Sequence, residues 1–245
     1  MFDTGWTLAI VGCLVGAVIG FAARKSHFCT MGALERHWYA GDDRPLRSWV
    51  LAAFTALVAT QLLSAAGFAD MERSFYLTTP LPLAGTIFGG LIFGFGMALA
   101  GTCGFGALVR LGGGNLRALV VLTGLGLAAI AAQRGITGHV RQALLDPLSL
   151  DLSSFGGQSA GALLSHAIGV DLSLPLALAF GVAGLWWVFK SPAFRADRHR
   201  MTAGVIIGLC IAAGWVITSQ FAERALFPVQ IEAGSFIMPD RKSVV

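Results

Sequence analysis

Long apolar runs separated by short polar connections set the plan of the chain. Trp6 to Ala23, Trp49 to Phe68, Leu81 to Ala100, Leu116 to Ala132, Leu172 to Phe189 and Thr202 to Phe221 read as six such runs. Each approaches the roughly 20 mainly apolar residues that a helix needs to cross a bilayer. Gln158 to Val170 is apolar but too short to cross, and reads as a half-helix or interfacial segment. The pattern predicts an all-α integral membrane protein, a polytopic helical bundle with about six spanning helices.

Composition sharpens this. Of 245 residues, 56% are hydrophobic and only 12% charged, against about 25% charged in soluble domains, and mean hydropathy is +0.74. The 32 glycines suit close helix packing in lipid, where small residues form the contacts. The net charge of +4 comes with no basic stripe or binding motif, so no nucleic-acid partner is expected. The N-terminus lacks a basic n-region and a small-residue cleavage site, and reads as a retained helix.

Loop charges orient the bundle. One side holds eleven cations: Arg24, Lys25, Arg36, Arg44, Arg47, Arg110, Arg117, Lys190, Arg195, Arg198 and Arg200. The other holds four: Arg73, Arg134, Arg141 and Arg224. The positive-inside rule places the richer side in the cytoplasm and the N-terminus in the periplasm.

One stretch departs from uninterrupted apolar helix. Gly94 to Gly114 reads GFGMALAGTCGFGALVRLGGG, and an earlier stretch matches it at an offset of 74 residues. Gly20, Phe21, Cys29, Gly32, Ala33, Leu34 and Arg36 recur as Gly94, Phe95, Cys103, Gly106, Ala107, Leu108 and Arg110, seven identities in 17 aligned positions. Ala and Leu matches weigh little in such sequence; matched Cys and Arg weigh more. Both breaks follow odd-numbered helices, which makes this a parallel repeat with units at about 6–68 and 81–132. Such repeats mark transporters. Ser26 to Leu34 and Thr102 to Val109 are short enough to be half-helices folding back toward the membrane centre, where non-helical backbone must line a cavity or be buried in protein; the alternative is ordinary cytoplasmic loops with incidental cysteines.

The four cysteines show no C-x-x-C spacing, which argues against a zinc or thioredoxin-type centre, and no haem or flavin motif accompanies them; no cofactor or metal is expected. Cys13 and Cys210 lie inside apolar runs and read as small buried hydrophobes. A thiol in apolar surroundings stays protonated and offers a weak S–H donor. Cys29 and Cys103, with the backbone amides of Gly101, Thr102 and Gly104 and the N-termini of the following half-helices, would suit an anion in a dry constriction. His27 could shift the ionisation of Cys29, or be a plain interfacial histidine. Arg110 and Arg36 could guide an anion or anchor helices at the headgroups. Gly112-Gly113-Gly114 is no phosphate loop, since no Gly-Lys-Ser/Thr follows.

At Ser26-His27-Phe28-Cys29 with Gly32-Ala33, and at Gly94-x-Gly96-Met97 through Gly101-Thr102-Cys103-Gly104, the sequence resembles the YeeE/YedE family of bacterial sulfur-transport membrane proteins. The resemblance implies a pseudo-symmetric helical bundle with re-entrant helices and essential cysteines along a central path, with Cys29 and Cys103 matching the two of the N-terminal half. It implies a bacterial inner-membrane permease importing thiosulfate or a related small sulfur anion, with membrane lipid and a cytoplasmic sulfur-carrier protein as further partners. Longer members carry another cysteine in a Gly-rich motif that Gly208 to Gly214 does not match. Residues 1–190 then form an N-terminal half and 201–245 the start of a second half. The tail Asp240 to Val245 reads DRKSVV, a string that a common sequencing adapter encodes in one frame, and a reading frame continuing past Pro239 is expected. The competing readings are a membrane sulfurtransferase or thiol oxidoreductase carrying a persulfide, and an accessory membrane subunit whose cysteines only pack.

Reporter fusions at Asp42 and Asp197 should both give cytoplasmic signals; an external signal at either would refute the orientation.

Overall fold

The computed structural model describes residues 4–69, 81–150, 161, 164–166 and 173–224. Helices make up nearly all of these: α1 (Thr4–Ser26), α2 (Thr30–Ala40), α3 (Arg44–Ala65), α4 (Leu83–Ala100), α5 (Gly104–Gly112), α6 (Arg117–Arg134), α7 (Ile136–Leu144), α8 (Ser173–Phe189), α9 (Pro192–Ala196) and α10 (Arg198–Arg224). A single antiparallel bridge, Leu81 to Leu150, stands beside them among the described residues.

Among the described residues, four helical stretches are long and apolar enough to cross a membrane: Trp6–Ala40, Arg44–Ala65, Leu83–Gly112 and Arg198–Ala222. A fifth forms if α6 and α7 count together across a 49° bend. The expected fifth span is the 17-residue helix Ser173–Phe189, about 26 Å long at 1.5 Å per residue and slightly shorter than a typical hydrocarbon core. The six expected spans therefore appear as four clear ones, one bent pair and one short helix. Most of Gln158 to Val170 lies outside the described residues. The two cysteine segments sit within the 35-residue path Trp6–Ala40 and the 30-residue path Leu83–Gly112. The short helices α2 and α5 that follow the cysteines were expected to fold back as re-entrant halves; here each extends its preceding helix as one span-like path.

The exposed surface of these helices is itself apolar. Nothing on α4 is buried, and Leu91, Ile92, Phe95 and Leu99 are all more than 65% exposed. A helix hydrophobic on every side is either core or membrane-spanning, and an exposed one fits only lipid. The protein is a multi-pass membrane protein.

Two compact units divide the described helices: α1–α3 with α8–α10, and α4–α7. In the first, α3 is the hub, packed by α10, α8 and α2, while α10 also packs on α1. Glycines set these approaches. A Cβ at Gly208 would lie 2.6 Å from the Ala52 carbonyl oxygen and one at Gly204 2.8 Å from that of Ser48, so α10 runs along α3 in the same direction. Gly184 faces Phe54 and Gly181 faces Val58, so α8 runs the opposite way. Small residues allow this backbone proximity where hydrophobicity alone drives no association.

These directions bring the C-terminal ends of α1 and α8 and the N-terminal ends of α3 and α10 together at one end of the unit. A core of Leu51, Val188 and Phe194 closes that end, backed by Val50, Leu185, Met201 and Val205. Phe194 reaches it from the short α9, which Ser191 caps by accepting the Phe194 amide proton. Arg47 donates to the Trp187 and Val188 carbonyls at 2.5 and 3.3 Å, satisfying last-turn groups of α8 that have no helical partner. Its guanidinium also lies 4.2 Å from the centre of the Trp187 ring, a cation–π contact.

Gly208→Ala must push α10 off α3, because the obstacle is backbone; overpacking of this kind costs about 1–3 kcal/mol. Gly16→Ala on α1 meets nothing within 4 Å and should be neutral or slightly stabilising. Thermal unfolding in detergent separates the two, and equal melting temperatures would overturn the packing argument.

Candidate functional site at the two cysteine breaks

The two breaks share one backbone plan. α1 ends at Ser26 and α4 at Ala100. The next residue in each is left-handed, His27 at φ 54° and Gly101 at φ 63°. Cys29 and Cys103 then stand in extended conformation as N-caps of α2 and α5. Each cysteine carbonyl accepts the first helical bond, from Ala33 and from Ala107, both at 2.9 Å. Those two alanines are buried, at 2% and 0% exposure. At the far end the Arg36 carbonyl accepts from Gly41 and the Arg110 carbonyl from Asn115. Every pair lies 74 residues apart.

Cysteine is an uncommon N-cap, a position that favours Ser, Thr, Asp and Asn because an oxygen there accepts an orphan amide proton. At Cys103 sulfur does this job: Sγ accepts from the Gly106 amide at 3.2 Å. Accepting through a lone pair leaves the thiol proton to be donated elsewhere. Cys103 is buried, beside the buried Thr102, whose hydroxyl donates to the Cys103 carbonyl at 3.2 Å. Gly104 begins α5, so its amide is one of the first-turn N–H groups. Arg110, exposed, folds back along α5 and donates to the Gly101 carbonyl at 3.4 Å. It thereby tethers the two sides of the break, a role that neither sequence reading, anion guide or headgroup anchor, had given it. Arg36 is exposed.

Cys29 makes no side-chain cap bond to its own helix. It lines a small chamber in the first unit with Ser26, His27, Phe28, Pro45, Ser48, Trp49 and Arg200. The chamber measures about 10 Å³, room for about one water. Ser26 is buried and donates to the Ala22 carbonyl at 2.8 Å; Ser48 donates to the Arg200 carbonyl at 2.8 Å and ties α3 to α10. Arg200 also forms an ion pair with Asp197 at 2.6 Å, both side chains less than 20% exposed. Just outside, Arg44 grips Asp42 through a two-point fork. That fork, with a smaller contribution from Arg200, holds the Asp42 carboxyl below its ordinary range against the opposing effect of partial burial. His37 Nδ1 lies 2.6 Å from Asp43 Oδ1 at the same turn.

Of the sequence candidates, His27 and Cys29 meet in this chamber, while Gly101, Thr102, Cys103, Gly104 and Arg110 form the other break. Ser48 and Arg200 were not among the candidates. The available signal is the spacing Asp197-x-x-Arg200 at the mouth of a spanning helix, an i, i+3 pair that in sequence looks like ordinary loop charge. Cys13 is exposed rather than buried, and Cys210 is half-buried.

The architecture defines a class: a multi-pass membrane protein with cysteines set at interruptions of its helices. The chain belongs to the sulphur transport family, whose model matches residues 25–237. It is 29% identical over 225 residues to the thiosulfate transporter TsuA of Spirochaeta thermophila, covering 89% of this chain and 64% of that protein. To the thiosulfate transporter TsuA of Escherichia coli (strain K12) it is 28% identical over 117 residues, covering 48% and 32% respectively. The chain thus spans just under two thirds of the first relative's length.

The left-handed residues generate a paired prediction. Gly101→Ala places a Cβ on a backbone that L-residues adopt at a cost of about 1–2 kcal/mol, and the unfolding midpoint should fall accordingly. His27→Gly removes that cost and should hold or raise the midpoint. A rise for Gly101→Ala would overturn the assigned backbone geometry.

Proposed function

We propose that this chain forms the cysteine-bearing part of a permease that carries thiosulfate, or a related small sulfur anion, inward across the bacterial inner membrane. The observation that carries the reading is the duplicated break: helix end, left-handed residue, cysteine N-cap, short helix, repeated at one offset in a chain of the sulphur transport family. Relatives named as thiosulfate transporters support the substrate.

In this reading the two breaks are units of a parallel repeat, and Cys29 and Cys103 contact the passing anion in turn. Thiol donors, amides at helix N-termini and their partial positive charge replace part of the anion's hydration. A neutral thiol does this without the repulsion that a thiolate would bring. Weak donors at successive points suit transport, because conduction requires binding strong enough to enter and weak enough to leave. The end of the first unit that gathers residues 24–48 and 190–200 faces the cytoplasm, where a sulfur-carrier protein receives the product.

Ala at either cysteine removes the donor, whereas Ser keeps a hydroxyl of similar shape. Cys29→Ala and Cys103→Ala should each abolish thiosulfate-dependent growth of a bacterium lacking its own importer, with Cys→Ser retaining part of it. Cys13→Ala and Cys210→Ala should leave growth nearly intact. Membrane levels are measured for every variant. Normal growth of the Cys29→Ala, Cys103→Ala double mutant would end the relay reading.

A further inference from the structure

Arg200 is among the residues lining the Cys29 chamber, and its charge is held by an internal carboxylate. Its Nη1 donates to Asp197 Oδ2 at 2.6 Å. Asp197 uses its other oxygen, Oδ1, to accept the Arg200 amide proton at 3.2 Å at the start of α10. One carboxylate therefore both caps the helix and neutralises the guanidinium. Only 17% of the Arg200 side chain and 18% of that of Asp197 are exposed, so each charge is partly stripped of water and depends on the other. Arg47, at the same end, donates through Nη1 to the α8 carbonyls. Arg44 is paired with Asp42.

The geometry points to Arg200 as an anion ligand at the inner end of the path and to Asp197 as the residue that positions it and competes with the anion for it. This rests on the permease reading above and names a binding group within it. An anion at Cys29 is met by the thiol and by the Arg200 fork, which recognises planar or tetrahedral oxyanions through paired N–H donors. Because the chamber has room for only about one water, a larger anion enters as it widens, with Arg200 turning from Asp197 to the anion. Return of Asp197 then expels the anion. An unopposed arginine would bind tightly and release slowly; a carboxylate three residues away keeps occupancy transient.

The test measures equilibrium binding of radiolabelled thiosulfate to the purified full chain, alongside uptake KM and maximal rate in cells. Arg200→Gln should weaken binding and raise KM about tenfold or more, the scale of a hydrogen bond to a charged group, with Arg200→Lys in between. Asp197→Asn keeps an acceptor for the helix cap but removes the competing charge. It should tighten binding severalfold while lowering the maximal rate. Unchanged binding and KM in Arg200→Gln, with uptake falling only in step with membrane level, would overturn the inference. If Cys29→Ala abolishes uptake while Arg200→Gln keeps its KM, the inference fails and the cysteine reading stands. If Cys29→Ala transports normally while Arg200→Gln shows the raised KM, the cysteine reading fails and the inference stands. Absence of saturable thiosulfate binding by the unaltered chain overturns both.

Discussion

A helix interrupted within an apolar span leaves amides and carbonyls with no helical partner, and lipid offers them none. Both cysteine breaks meet this constraint with the same backbone plan. A left-handed residue ends the first helix, a cysteine begins the next, and its carbonyl takes up the new helical ladder. At Cys103 the sulfur accepts the Gly106 amide, and Arg110 reaches back to the Gly101 carbonyl. The groups left at such an interruption are polar, directional and fixed in place by the helices around them. The proposed anion path draws on those properties.

His27 shows the constraint under strain. The equivalent place in the other break holds glycine, which accepts φ 63° without cost. A histidine there gives up about 1–2 kcal/mol of backbone energy, at a residue that lines the Cys29 chamber. Side chains retained at unfavourable backbone geometry cluster at functional sites, and this one borders the candidate thiol.

Charge and packing converge at the same end of the first unit. α3 approaches α8 and α10 through glycines, and the resulting directions gather Arg44, Arg47, Lys190 and Arg200 near one another. Concentrated like charge would be unfavourable if left bare. Here Asp42 and Asp197 pair with Arg44 and Arg200, the α8 carbonyls receive Arg47, and Lys190 stands 5.6 Å from the Trp186 ring centre. Of these cations it is Arg200, paired with a carboxylate on its own helix turn, that borders the chamber.

The membrane class, the apolar runs and the position of both cysteine breaks are legible along the chain alone. These depend on local quantities, namely length of apolar run, glycine density and spacing along the chain. The chain alone also shows Cys29 and Cys103 as a matched pair, because identical residues at one offset need no structure to be seen. The tertiary structure decided which neighbours complete each break. Ser48 and Arg200 lie far from Cys29 in sequence and reach it only because α3 and α10 run in parallel past glycines at 204 and 208. It also decided the role of Ala33 and Ala107, which looked uninformative in an alanine-rich chain and prove to be the buried first-turn residues of α2 and α5. Burial is a property of what packs against a residue, and a single chain read in order does not display that.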